Sequence, residues 1–157
     1  MLLDFSHKMA AHCENGTTRN LLNFYGIKLS EPLIFGIASG CFYSYMPFIR
    51  VNDLPVFSFR NLPGIIFKRS TSKLGVSVER MKFSSPAKSK EKLDELIEKG
   101  IPAGLLVGVF YLTYFPPEYR FHFNAHNLVV IGKENGRYYV SDPVMENIET
   151  LTDKELQ

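Results

Sequence analysis

AHNLVVIGKENGRYYVSDP, residues 125–143, is the stretch whose reading decides the fold. Leu128 to Ile131 is an unbroken apolar run, Glu134-Asn135-Gly136 is a turn, and Tyr138 to Val140 is a second run. An Asn-Gly pair between two such runs predicts an antiparallel hairpin. Antiparallel pairing folds the return strand back, so the end of one strand lies near the start of the other. His126, before the first run, and Asp142, after the second, are thereby predicted to be neighbours despite the sixteen positions between them. A carboxylate there can orient an imidazole and stabilise its charged form.

Upstream of the hairpin, GIPAGLLVGVFYLTYF reads as a buried strand over Ala103–Phe115, and PPEYR as a loop. Ser85-Pro86 opens the clearest helix, KSKEKLDELIEKG, with Leu93, Leu96 and Ile97 inward and Gly100 as its stop. VSVERMKF, residues 76–83, alternates like a strand, and Leu62 to Lys73 reads as a short basic helix. CFYSYMPFI and PVFSFR read as strands, with Phe42, Tyr43, Tyr45 and Phe48 assigned mainly to the core. Ser30 caps a short helix ended by Gly40, in which Glu31 suits the positive first turn. A further helix opens at Glu14, buries Leu21, Leu22 and Phe24 or Tyr25, and stops at Gly26. Helices come first and antiparallel strands gather late, so the fold class is α+β.

The chain has 157 residues, 45% of them apolar, enough for one domain with a real core. A net charge of +2 without a long run of one sign argues against a nucleic-acid partner. Lys68, Arg69 and Lys73 read as a solvated helix face before they read as a patch for an acidic partner. The apolar stretch Ile101–Phe115 falls short of the roughly 20 residues that span a bilayer, and no signal peptide is visible, so a cytoplasmic, membrane-free protein is expected. Cys13 and Cys41 then read as free thiols.

Cys13 stands just ahead of the first helix rather than inside its apolar stripe. A helix N-terminus or a neighbouring imidazolium lowers a thiol pKa from about 8.5 and makes the reactive thiolate. Of the four histidines, His126 is the best-placed base. One reading is therefore a nucleophile, base and orienter: Cys13, His126 and Asp142. Beside it stands the plain one, a surface cysteine and a loop histidine without chemistry. His7 and His122 read equally well as solvated or core-edge residues. His122 and His126, with Cys13 and His12, also have metal-compatible spacing in part, but the two halves match no zinc pattern, and no metal is expected.

Three blocks together carry a resemblance: HCENGTTRNLLNFYGIKLSEPLIFGIASGCFYSY, GIPAGLLVGVFYL and HFNAHNLVVIGKENGRYYVSDP. In order and spacing they resemble the N-terminal domain of the butirosin biosynthesis protein H family, and more widely papain-like proteins such as the bacteriocin leader peptidases fused to transporters. The resemblance implies a papain-like fold over residues 1–157, with Cys13 as nucleophile, His126 as base and Asp142 as orienting acid. LTDKEL, with Thr152 and Glu155 in capping-box spacing, resembles the point where that family continues into a mostly helical C-terminal portion. The resemblance also implies an acyltransferase. It would take an (amino)acyl group from the phosphopantetheine thioester of an acyl carrier protein, hold it on Cys13, and pass it to a small-molecule amine. That chemistry requires no bound cofactor. A cysteine peptidase or amide hydrolase is the alternative, and a non-catalytic binding domain the second. A domain cut from its partner can also pair with itself as a homodimer. One departure stands out: papain-like enzymes carry a Gln shortly before the cysteine as an oxyanion donor, and the only Gln here is Gln157. The Cys13 N–H remains as a donor, with His7, His12 and Asn15 as candidates for the second.

Overall fold

The computed structural model describes residues 1–51 and 53–156. Helices α1 (Cys13–Phe24) and α2 (Glu31–Ile37) are followed by strands β1 (Cys41–Val51) and β2 (Leu54–Arg60). Helices α3 (Ile65–Lys73) and α4 (Pro86–Glu98) come next, then β3 (Ala103–Val107), β4 (His126–Glu134), β5 (Arg137–Ser141) and β6 (Glu149–Thr152). β3-β4-β5-β6 form an antiparallel sheet in that order, and β1-β2 form a separate hairpin. The class is α+β, as the order of elements predicts.

β4 is the centre of the molecule because both its faces are apolar. Leu128 and Val130 pack with Leu93 and Ile97 of α4, Tyr138 and Val140 of β5, and Leu151 of β6. Val129 and Ile131 pack on the opposite face with Phe5 and with Leu21 and Phe24 of α1. An unbroken apolar run suits a strand covered on both sides better than an alternating one. The hairpin turn has Asn135 at φ 51° and Gly136 at φ 73°, the two positive values that a two-residue type I′ turn needs. A third cluster, Leu22, Ile34, Ala38 and Ile66, joins α1, α2 and α3.

Four expectations need correction. The Ala103–Phe115 strand ends at Val107; Gly108 opens a 3₁₀ turn over Val109–Tyr111, and Val109 N–H bonds Phe123 O at 3.0 Å. A second 3₁₀ turn, Pro117–Tyr119, occupies the expected loop. Residues 76–83 have no strand partner. Alternation specifies an extended backbone, but pairing needs an open sheet edge within reach. β6 was not foreseen, because four residues with one buried side chain carry little periodic signal. Finally, Phe42, Tyr43, Tyr45 and Phe48 are exposed rather than core. Thr152 ends β6, and its N–H is bonded by the Glu155 carboxylate at 2.6 Å, the return half of the expected capping box. No described helix is long and apolar enough to cross a membrane.

Candidate active site

α1 begins at Cys13 with His12 as its N-cap, and His12 Nδ1 accepts the Asn15 N–H at 3.4 Å. The segment leading in is held by Glu31, whose carboxylate accepts the N–H groups of Ala11 (3.1 Å) and His12 (3.0 Å). Glu31 therefore does more than meet the dipole of its own helix: it fixes the backbone from which Cys13 projects. The thiol is half-buried at the helix N-terminus.

His126 opens β4 and is buried, opposite Val107 of β3. β5 ends at Ser141, opposite Val129, so Asp142 follows on the face that carries His126. His126 Nε2 donates to Asp142 Oδ2 at 2.7 Å, and Asp142 is wholly buried. Cys13 lies beside the imidazole, close enough for each to shift the other's pKa. The structure thus brings His126 and Asp142 together, as the hairpin predicts, and sets Cys13 beside the imidazole.

Two residues that the sequence reading did not single out complete the cluster. Tyr114 Oη donates to Asp142 Oδ2 at 2.7 Å, the same oxygen that receives His126. The Val144 N–H occupies Asp142 Oδ1 at 3.1 Å. Asn127 Nδ2 lies 4.0 Å from Cys13 Sγ and also donates to Ala125 O at 3.3 Å. Asn127 left a signal, a lone amide between a histidine and an apolar run. Tyr114 left none, because it belongs to the segment misread as continuous strand. Phe115 sets its ring edge-on to His126, centroids 5.6 Å apart, and covers the imidazole.

The electrostatics follow from these contacts. Burial pushes the Cys13 thiol up, but the hydrogen bonds from His126 and Asn127 and the charge of His126 outweigh it, so its pKa lies below the ordinary value. Burial pulls His126 down, but the bonds to Asp142 and Cys13 win and push it up to about 9. A thiolate–imidazolium pair is the arrangement these shifts favour. Tyr114 is held protonated by burial and by the neighbouring Asp142 charge, and so stays a donor.

The remaining candidates sit elsewhere. His7 engages Ser141 Oγ (2.8 Å) and Met145 O (3.1 Å), so both its nitrogens serve to tie the N-terminal segment to the end of β5 and the loop after it. His12 is the cap described above. Asn15 is buried in α1, and its Oδ1 has no hydrogen-bond partner among the described residues. His122 stacks on Phe110 with centroids 4.2 Å apart. Among the described residues no three such side chains are grouped to share a metal ion.

No curated protein matches the chain in sequence. A solved structure from Bacillus anthracis, described as a C39-like peptidase, superposes with a TM-score of 0.68 at 12% identity, over 99% of this chain and 89% of that one. The fold is therefore that of papain-like cysteine peptidases. Residues 12–143, which run from the N-cap of α1 to the residue after Asp142, match the family model of butirosin biosynthesis protein H, N-terminal. The three sequence blocks and the hairpin geometry fall within that span, and the chain belongs to the butirosin biosynthesis protein H N-terminal family.

Proposed function

We propose that the protein is a cysteine-dependent acyltransferase that moves an acyl group from a carrier-protein thioester to an amine. The observation that carries this reading is the Cys13–His126–Asp142 line, with the thiol pKa lowered and the imidazole pKa raised. The Cys13 thiolate attacks the thioester carbonyl. The tetrahedral intermediate collapses with loss of the pantetheine thiolate, which takes the His126 proton. Cys13 now holds the acyl group as a new thioester. An amine attacks it, neutral His126 takes the amine proton, and the Cys13 thiolate is released. Asp142 holds the ring through both half-reactions and stabilises its charged form.

The oxyanion is a separate question. The Cys13 N–H at the start of α1 supplies one donor. The amide of Asn127, within reach of Sγ, is better placed for the second than His7, whose ring is engaged at Ser141 and Met145. A thioester is already activated, so it tolerates a weaker oxyanion site than an amide does. This favours transfer. The peptidase fold favours the second reading, a hydrolase in which water replaces the amine.

The test is intact-mass spectrometry after mixing the protein with an acyl-pantetheine thioester. An added acyl mass on Cys13, absent from Cys13→Ala and discharged faster by a primary amine than by water, is the expected outcome. An acyl-enzyme discharged by water alone would make it a hydrolase, and no acyl-enzyme at all would remove the catalytic reading.

A further inference from the structure

The β1–β2 hairpin shows an aromatic surface that the active site does not use. Tyr45 pairs directly with Phe57, so the two rings share one face. Tyr43 and Phe59 join them, with centroids 5.9 Å apart, and Phe57 contacts Phe59 at 5.3 Å. All four are between 55% and 67% exposed. Phe48 (82%) is exposed further towards the turn end. The opposite face, with Ser44, Met46, Val56 and Ser58, is half-buried, so the aromatic face is the outward one.

We propose that this outward face is an interface onto a second copy of the chain, packed face to face about a two-fold axis. Area is the first argument. At about 200 Å² for a whole aromatic side chain, the five rings present on the order of 650 Å² of apolar surface. A standard interface takes roughly 800 Å² per partner, and exposed apolar patches of this size mark contact sites. Charge is the second. Between Cys41 and Phe59 the only charged residues are Arg50 and Asp53, one of each sign. A nearly neutral aromatic face suffers no repulsion from its own copy, and a two-fold axis sets the same patch against itself. An acidic carrier protein or a nucleic acid would call for several cations among the rings, and this face carries one, Arg50, which stands opposite Pro55 at the turn end and donates to Asp53 O at 3.4 Å. Stability is the third. A two-stranded hairpin is marginal alone in water, and a second apolar layer completes it.

Sedimentation velocity and light scattering on the whole chain from 1 to 200 µM, as an order-of-magnitude range for such interfaces, test this. A concentration-dependent species of twice the 17.9 kDa monomer mass is expected. Two charged variants, Tyr45→Lys with Phe57→Lys and Tyr45→Glu with Phe57→Glu, should each be monomeric, and mixing them should restore a dimer. That restoration separates a lost interface from a lost fold. A wild-type protein that stays monomeric overturns the proposal, as does a dimer that survives in both variants, or variants that fail to recombine. So does a monomer that floats with lipid vesicles through the same residues.

Discussion

At the scale of single residues, the thiol of Cys13 is set by opposed influences: burial raises its pKa, while the His126 and Asn127 contacts lower it and prevail. Iodoacetamide alkylation followed against pH should therefore show a midpoint below that of an ordinary thiol. In His126→Ala the midpoint should rise above the wild-type value, because burial is then less opposed. The imidazole also couples folding to pH. Its folded pKa, about 9, exceeds the ordinary 6.5, so its contribution to stability is fully present below 6.5 and is lost as pH rises through 9. Tyr114 modulates this. Its hydroxyl shares Asp142 Oδ2 with His126 and draws off part of that oxygen's charge. In Tyr114→Phe the imidazolium is held more firmly, so the His126 titration, read by NMR, should move to higher pH. An unchanged or lower midpoint would show that Tyr114 only fills space. Cys13, His126 and Asp142 were all legible as candidates, since a thiol ahead of an apolar stripe and polar residues flanking a hairpin are local patterns. Tyr114 was not legible, because its role depends on where a 3₁₀ turn sends the chain.

At the scale of elements, α1 and α3 are joined through one carboxylate. The N-cap of α3 is Gly64, which has no side chain to cap with, and the buried Glu14 of α1 accepts the Phe67 N–H at 2.9 Å instead. Glu14→Ala would leave that donor unpaired inside the protein and should cost about 1–2 kcal/mol in urea unfolding. Glu14→Gln keeps an acceptor and should cost less. Glu31 acts alike across α2 and the segment before α1. The sequence by itself assigns Glu31 to the first turn of its own helix and makes Glu14 only a helix start. Charge preference at a helix start is local, whereas the donor it meets belongs to another element brought near by packing.

At the scale of the whole molecule, the N-terminal segment is a strap along β4. Leu3 N–H bonds Ile131 O and Lys133 N–H bonds Met1 O, each at 2.9 Å. The approach is close because Gly132 has no side chain: a Cβ there would lie 2.7 Å from Met1 O and 2.8 Å from Leu2 Cα. Gly132→Ala should lift the strap and cost about 1–3 kcal/mol. Hydrogen exchange should then show faster loss of protection at Leu3 and Lys133 than in β5. If those amides stay protected, the strap has yielded elsewhere. Nothing in the opening residues announced a strap, since Met1–Leu3 has neither strand length nor alternation.

By itself the sequence determined the hairpin and what flanks it. The apolar run Leu128–Ile131, the Asn135-Gly136 turn and the return run are set by side-chain burial and by backbone φ over a few residues. These short-range terms act the same way wherever the segment lies. The placement of Cys13 at a helix start is of the same kind. Tertiary structure alone decided the rest: that the aromatic run of β1 faces outward, that residues 76–83 find no partner, that Tyr114 bonds Asp142 and Asn127 lies beside Cys13, and that Glu14 and Glu31 serve backbone outside their own helices. Hydrophobic burial is non-directional, so an apolar or polar pattern can specify an element and its faces without naming the surface it will meet.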